Sequence, residues 1–286
     1  MSTQDRPSIA PDAPFAGLHV AMVVAHPDDE VLGAGGQFSS MRRLSLIHLT
    51  DGAPSKRAAR WHGHPTRRAY SETRLRELGQ ALQSVGLAPD RFTLLLPDQQ
   101  ASFHLRQSTH RLAELLDRLR PDIVLTHPYE GGHPDHDAAA FAIAAALRLT
   151  RHTIPAWEFA SYHASNGAMV TGAFLPQPAT PVLSPRLSAT QLAEKRRMLA
   201  CFQSQQAIIS TFNPDCERFR RAPAYDFTQP PHPGKLLYES RRRAWTGKHW
   251  RRRANAALLA PPPSPALVRR LYGQARALVW RAWLAI

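Results

Sequence analysis

Two short polar segments combine the residue types that bind transition metals and transfer protons. They are AHPDDE at residues 25–30 and GGHPDH at residues 131–136. Imidazole nitrogens and carboxylate oxygens are zinc ligands, and a catalytic zinc site pairs three protein ligands with a water molecule in the fourth position. Two histidines and one aspartate from these segments would complete such a site.

The same segments also contain candidates for the proton transfers of amide hydrolysis. With His26, Asp29 and His136 as the metal ligands, the bound water has its pKa lowered from 15.7 to about 7. The reaction further needs a base for the water, an acid for the leaving amine and a group that stabilises the oxyanion. Asp28 is the candidate base. His133, three positions from His136, is the candidate acid or oxyanion stabiliser.

Either segment alone has a simpler explanation. A single His-Pro step usually marks a turn, and paired aspartates before a helix often serve as N-terminal caps. Asp135 and Asp137 are interpreted in that way, and His127, at the end of a predicted strand, as a weak candidate for the outer part of the site. Two such segments at neighbouring strand ends favour the catalytic interpretation.

The alternation of apolar strands and helices along the chain predicts where these two segments lie in the fold. Buried strands are predicted at residues 18–24, 44–49, 92–96 and 122–126, and helices at 66–85, 105–119, 138–149 and 191–202. This alternation indicates an α/β fold, a Rossmann-like and largely parallel sheet with helices on both faces. In such sheets the active site lies at the C-terminal ends of the strands, where the polar segments occur. The C-terminal half is less regular.

The limits of three regions are predicted from the amino-acid composition along the chain. Residues 1–16 are predicted to be a disordered leader, 17–240 the catalytic domain, and 241–286 a basic extension with an amphipathic helix at 266–286. The net charge is +14, but the extension has eleven basic residues and no acidic one, so the first 240 residues carry 25 basic and 22 acidic residues. Nucleic-acid binding is therefore disfavoured. Only the charge of the extension supports it, and it does not explain the candidate metal ligands in the two polar segments.

Two interpretations of residues 266–286 stay open. Arginines opposite leucine and tryptophan are typical of a helix lying on an anionic membrane; alternatively, the apolar side docks on the protein body or on a second copy. The first residues lack a signal-peptide pattern, and Cys201 and Cys216 are too few for a disulfide framework. We expect a cytoplasmic protein, peripheral on the inner face of the membrane if the first interpretation holds.

The paired motifs resemble those of the LmbE-like, or PIG-L, N-deacetylases. The His-Pro-Asp-Asp-Glu segment is followed by the glycine pair Gly35 and Gly36, and a His-Pro-Asp-His segment follows downstream. The resemblance covers residues 17–150 well and 151–240 weakly. It implies removal of acetyl groups from N-acetylglucosamine units, zinc on His26, Asp29 and His136, and the roles given above for the base and the second histidine.

Weaker matches accompany the motifs. Arg74, in an Arg-x-x-Glu pattern, and Asp98 resemble family residues that contact the substrate; an exposed salt bridge and a turn are their alternatives. Lys195 with Ser204-Gln205 resembles a family signature of unclear role. Some family members have a tyrosine two residues before the first histidine of the second motif, where this chain has Gly131 and the nearest tyrosine is Tyr129.

The leading functional hypothesis is a zinc-dependent, or else iron-dependent, N-deacetylase of an amino-sugar conjugate. The substrate is a small molecule or a lipid-linked sugar, and acetate is released. The alternative within enzymes is hydrolysis of a non-sugar amide at the same site. A catalytically silent scaffold would lack the base or a ligand, and this sequence has them all.

Overall fold

The computed structural model describes residues 9–177, 180–241 and 246–259. The strands in these residues are β1 (His19–Val24), β2 (Arg43–Thr50), β3 (Asp90–Leu96), β4 (Ile123–Thr126), β5 (Ala156–Phe159), β6 (Tyr162–Ser165), β7 (Ala168–Thr171), β8 (Val182–Leu183) and β9 (Phe219–Arg221). The α-helices are α1 (Asp29–Ala34), α2 (Lys56–Trp61), α3 (Arg67–Ser84), α4 (Leu105–Leu119), α5 (Pro134–Ala146), α6 (Ala189–Cys201), α7 (Gln206–Ile209), α8 (Leu237–Arg241) and α9 (Gly247–Leu259). Short 3-10 turns lie at Gly35–Ser40, Ala101–Phe103 and Gln203–Gln205.

A seven-stranded sheet in the order β3-β2-β1-β4-β5-β9-β8 organises this part of the chain. The first five strands are parallel, and β9 and β8 extend the sheet in antiparallel fashion. β1 pairs with both β2 and β4. Because neighbouring parallel strands end at the same edge, the segments after β1 and β4 meet there. The remaining two strands, β6 and β7, form a separate hairpin.

The alternation of β1 divides the core into two layers. Ala21 and Val23 contact the apolar cluster that includes buried residues of α4 and α5. Val20, Met22 and Val24 point to the opposite face, where α3 and α6 pack. Since successive side chains of a strand face opposite sides, a strand buried on both faces is apolar throughout. The predicted α/β fold with helices on both faces is confirmed.

The start of one helix and three strands of the irregular half differ from the predictions. Helix α5 begins at Pro134, four residues before the predicted start, because proline suits the first turn and its missing N–H costs no hydrogen bond there. The irregular half contributes β5, β9 and β8 to the same sheet. These strands have two to four residues, too few for a clear alternation in the sequence.

The predicted domain limits also need correction at both ends. Phe15, assigned to the disordered leader, is fully buried and packs edge-on against Phe219 and Trp157 with ring centroids 4.8 and 6.4 Å away. Trp250, assigned to the extension, is fully buried in the core, and its indole N–H donates to the carbonyl of Pro134 at 3.0 Å. Aromatic burial of this kind ties residues 15 and 247–259 to the body.

The described residues contain no helix long and apolar enough to cross a lipid bilayer. The predicted amphipathic helix at 266–286 lies outside the described residues, as do residues 1–8 of the leader.

Candidate metal centre

The turn after β1 is held by its own side chains. Oδ2 of Asp29 accepts the backbone N–H of His26 at 2.8 Å. Asp28 has φ of 141°, which is unfavourable for a residue with a side chain. Arg74 lies 3.2 Å from Oδ1 of Asp28, and Oε2 of Glu30 accepts the Asp28 N–H at 3.2 Å. These contacts fix the strained residue in the turn.

The segment after β4 forms the start of α5. His133 is the N-cap, and its Nδ1 accepts the backbone N–H of Asp135 at 3.2 Å. His136 is in the first turn. The carboxylate of Asp135 accepts backbone N–H groups from Gln99 at 2.5 Å and Ala101 at 3.0 Å. The loop after β3 is therefore anchored to this helix.

The two segments meet at the carboxylate of Asp29. Its Oδ2 lies 3.2 Å from Nδ1 of His26, and its Oδ1 lies 3.3 Å from Nε2 of His136. Nε2 of His127 is 3.3 Å from Oδ2. On the far side of His26, Nε2 is 3.0 Å from Oδ1 of Asp98. The structure thus brings the three predicted ligands together.

Within residues 9–177, 180–241 and 246–259, three overlapping groups of side chains are compact enough to hold a metal ion, with all ligand atoms of a group within 4.8 Å of one another. They are His26, His133 and His136; Asp29, His127 and His136; and His26, Asp98, His133 and Asp135. The predicted ligands His26 and Asp29 fall in different groups. The shared His136 and the direct contact between His26 and Asp29 join these groups into one centre.

His136 fits a metal ligand best by its own hydrogen bonding. Its Nε2 is buried and, among the described residues, has no hydrogen-bond partner. Its other nitrogen, Nδ1, lies 3.3 Å from the hydroxyl of Ser161. A metal-binding histidine typically has one nitrogen on the metal and the other held by a neighbouring polar group. The residues present therefore fit a transition metal.

Burial and neighbouring charge set the protonation of the centre. Burial acts to raise the pKa of Asp29, but the imidazoles of His136 and His127 hold it well below its ordinary value. Burial lowers the pKa of His127 to about 3, so this imidazole is neutral. Burial raises the pKa of Asp28 to about 7, although Arg74 opposes the shift. An ionised ligand and a base poised near neutral pH suit hydrolysis.

Arg74 and Asp98, the two residues predicted to contact substrate, both lie close to the centre but make different contacts there. Asp98 contacts His26 at 3.0 Å and lies 3.8 Å from Nε2 of His133, so it belongs to the centre. Arg74 is only 4% exposed, and it donates to the carbonyls of Gly52 at 2.9 Å and Pro27 at 2.7 Å besides contacting the carboxylate of Asp28. These contacts position the turn and differ from the predicted contact with substrate.

The weaker signature residues pack the supporting helices. Nζ of Lys195 is buried and lies 2.7 Å from Glu217, while it also donates to the carbonyl of Leu32 in α1. Ser204 donates through both its N–H and its hydroxyl to Glu77 of α3. These contacts join α1 to α6 and α3 to the segment after α6, so they support the centre from behind.

Three residues of the centre were missed or assigned a smaller role from the sequence. His127 contacts Asp29 directly, and Asp135 anchors the loop of Asp98, although both were interpreted as outer or capping residues. Tyr162, the first residue of β6, packs its ring on His136 with centroids 5.0 Å apart. The strand end and the motif could have indicated the first two. No sequence signal indicated Tyr162.

Some members of the resembled family have a tyrosine where this chain has Gly131, and Tyr129 does not take its place. Its hydroxyl donates to the carbonyl of Gln229 at 2.9 Å, and its ring stacks on Trp250. Gly131 has φ of +70°, and a Cβ there would press against Leu236. The backbone at this position therefore requires glycine.

The sequence is similar to known deacetylases. Residues 21–147 match the family described as PIG-L: GlcNAc-PI de-N-acetylase. The probable N-acetyl-alpha-D-glucosaminyl L-malate deacetylase 2 of Bacillus subtilis is 29% identical over 134 residues, which cover 45% of this chain and 60% of that protein. The protein of the same name from Bacillus anthracis is 30% identical over 158 residues, which cover 51% of this chain and 68% of that protein.

Solved structures share the fold at lower identity. A deacetylase of teicoplanin biosynthesis, in complex with teicoplanin, superposes with a TM-score of 0.56 at 15% identity, over 72% of this chain and 99% of that one. The 4-carboxy-2-hydroxymuconate hydratase of Pseudomonas putida KT2440 superposes with a TM-score of 0.51 at 17% identity, over 73% and 98%. Because a hydratase shares the architecture, the likeness establishes the fold and leaves the reaction to the site.

Proposed function

Since the chain belongs to the PIG-L family, we propose that it hydrolyses the N-acetyl group of an amino-sugar conjugate and releases acetate. The observation that carries this proposal is the meeting of residues from the ends of β1 and β4 around Asp29. That carboxylate contacts His26 and His136, and the buried Nε2 of His136 is left without a hydrogen-bond partner.

In the proposed centre, His26, Asp29 and His136 hold a zinc ion. Two imidazoles and a carboxylate also suit iron, which is the alternative metal in this proposal. A zinc ion held there would lower the pKa of a bound water molecule to near neutral and would itself polarise the acetamide carbonyl. His127 contacts Asp29 from the side of β4 and fixes the carboxylate in place.

The remaining residues of the centre transfer protons. Asp28 takes the proton of the attacking water, and its pKa of about 7 suits that role at neutral pH. Arg74 holds the carboxylate of Asp28 in position from the buried side. His133, whose Nδ1 is engaged at the start of α5, has Nε2 on the side of Asp98 and donates a proton to the leaving nitrogen. Acetate and a free amine result.

The substrate class follows from the relatives. Their names describe deacetylases of N-acetylglucosaminyl malate, and the family description names GlcNAc-PI. We therefore expect an N-acetylglucosamine unit to carry the acetyl group. A lipid-linked sugar, met at the cytoplasmic face of an anionic membrane, is the finer part of the proposal and rests only on the pattern of residues 266–286.

Acetate release from a panel of substrates tests the proposal. Metal-stripped protein, reloaded with zinc or iron, is incubated with N-acetylglucosaminides of neutral, anionic and lipid aglycones and with N-acetylated amino acids. Acetate from the glucosaminides, lost on chelation and restored by metal, supports the proposal, and Asp28→Asn serves as the inactive control. Acetate from the amino acids alone would favour the non-sugar amide, and none from any compound would exclude both.

A further inference from the structure

The β6–β7 hairpin covers one side of the metal centre. It follows Ser161, whose hydroxyl lies 3.3 Å from Nδ1 of His136. The next residue, Tyr162, places its ring across the ring of His136, with centroids 5.0 Å apart and planes at 61°. Phe212 packs edge-on against the same tyrosine at 6.1 Å. Ser161 and the first residue of β6 therefore both contact one candidate ligand, and the tyrosine ring is held between the rings of His136 and Phe212.

A glycine in the second motif allows this approach. A Cβ on Gly132 would overlap the backbone carbonyl of Tyr162 and would come within 3.1 Å of its ring. Only a residue without a side chain lets the hairpin lie this close to the segment that carries His133. Gly132 thus allows the backbone of the hairpin, and with it the ring of Tyr162, to lie against the second motif.

The phenol of Tyr162 lies beside the centre, because its ring packs on His136. Burial raises the pKa of this phenol, and the carboxylates of Asp29, Asp28 and Asp98 raise it further, so the hydroxyl is neutral and is a hydrogen-bond donor. In the described part of the chain this hydroxyl has no hydrogen-bond partner. A tyrosine of this kind, half-buried among polar groups, normally has a partner for its O–H. A substrate atom can supply it.

We propose that the Tyr162 hydroxyl donates a hydrogen bond to the acetamide oxygen of the substrate as that oxygen becomes an oxyanion. This inference rests on the proposed deacetylation. Water adds to the carbonyl carbon, the carbonyl π electrons move to oxygen, and Asp28 takes the water proton. The oxyanion then re-forms the carbonyl as the C–N bond breaks and His133 protonates the nitrogen. Tyr162 donates its hydrogen bond while the oxygen carries the negative charge, and it exchanges no proton or electron.

Tyr162→Phe is the informative variant, because it removes the hydroxyl and keeps the ring contacts with His136 and Phe212. Loss of one oxyanion donor lowers kcat by roughly 10²–10³-fold. We expect a fall of that size, with KM, metal content and melting temperature unchanged. Tyr129→Phe is the matched control, since its hydroxyl bonds to the carbonyl of Gln229, and it should leave kcat unchanged.

Binding provides a second readout besides turnover. A methylphosphonamidate of glucosamine mimics the tetrahedral intermediate, so Tyr162→Phe should weaken its binding by the same factor as kcat/KM and leave the affinity for acetate unchanged. A variant within twofold of the wild type in kcat and in analogue affinity would overturn the inference. A wild-type protein that releases no acetate would instead overturn the proposed function, so the two failures are distinguishable.

Discussion

Replacing Arg74 by methionine separates two roles for this residue. The sequence pattern predicts a contact with substrate, whereas in the structure Arg74 is 4% exposed and its guanidinium contacts two backbone carbonyls and the carboxylate of Asp28. Methionine keeps much of the apolar stem and removes every donor. Loss of a substrate contact raises KM, while loss of a positioning contact lowers kcat and stability.

The contacts of Arg74 give the expected size of the effect. Removing one partner of a buried ion pair costs about 3–5 kcal/mol, since the other charge is left without compensation. Asp28 has its pKa raised to about 7 by burial, so at neutral pH it can take up a proton and avoid part of this cost. We therefore expect the free energy of unfolding to fall by about 3 kcal/mol, near the lower end of this range. A loss of that size lowers the melting temperature by roughly 6–12 °C.

Urea unfolding of the metal-free protein measures the free energy of unfolding. Steady-state kinetics of the reloaded protein then gives kcat and KM. Arg74→Met should unfold at lower urea and show at least about a tenfold lower kcat with KM unchanged, because the base contributes about 10²–10⁴-fold when positioned. Arg68→Met, whose exposed side chain pairs with Glu72 on the same helix, is the control and should match the wild type. Unchanged stability with a raised KM would refute the positioning role.

Four further predictions concern the centre and the extension. His26→Ala and His136→Ala should lose metal and activity together, because two ligands remain; stoichiometric metal in both variants would contradict the ligand assignment. Asp28→Asn should keep most of its metal and lose about 10²–10⁴-fold in turnover, and near-normal turnover at saturating substrate would exclude it as the base. His133→Ala should bind metal with a low kcat and a shifted or absent high-pH limb, and an unchanged pH profile would assign the acid elsewhere. The full chain should co-sediment with anionic liposomes at low salt and a version ending at Leu259 should not; equal binding by both would exclude the extension as the contact.

β1, β2 and β4 were predictable because their side chains are buried on both faces of the sheet. The run HVAMVV in β1 is apolar wherever it faces helices, and a polar segment marks the point at which burial ends. The same logic failed for β8 and β9, which have two and three residues. A strand this short has no period, and its pairing depends on distant residues that the local sequence does not identify.

The proximity of the candidate ligands was predictable for the residues that lie in the two motifs. His26, Asp29 and His136 are close in sequence to a strand end, so the fold alone brings them together. Arg74 shows the limit of this reasoning, since an Arg-x-x-Glu pattern on a helix predicts the face on which the residues lie and not what covers it. Its burial depends on Gly52 and on the turn after β1.

Tyr162 was unpredictable for a related reason, and it shows where information about the site resides. Its position depends on the absence of a side chain at Gly132, thirty positions earlier, and on a hairpin whose strands have four residues each. A glycine pair before a motif histidine predicts a flexible turn, yet here it also marks a place where another part of the chain must come close. Glycines beside catalytic motifs therefore indicate which side chains from elsewhere can reach the site. For this chain that reasoning places Tyr162, the proposed oxyanion donor, on the hairpin rather than in either motif.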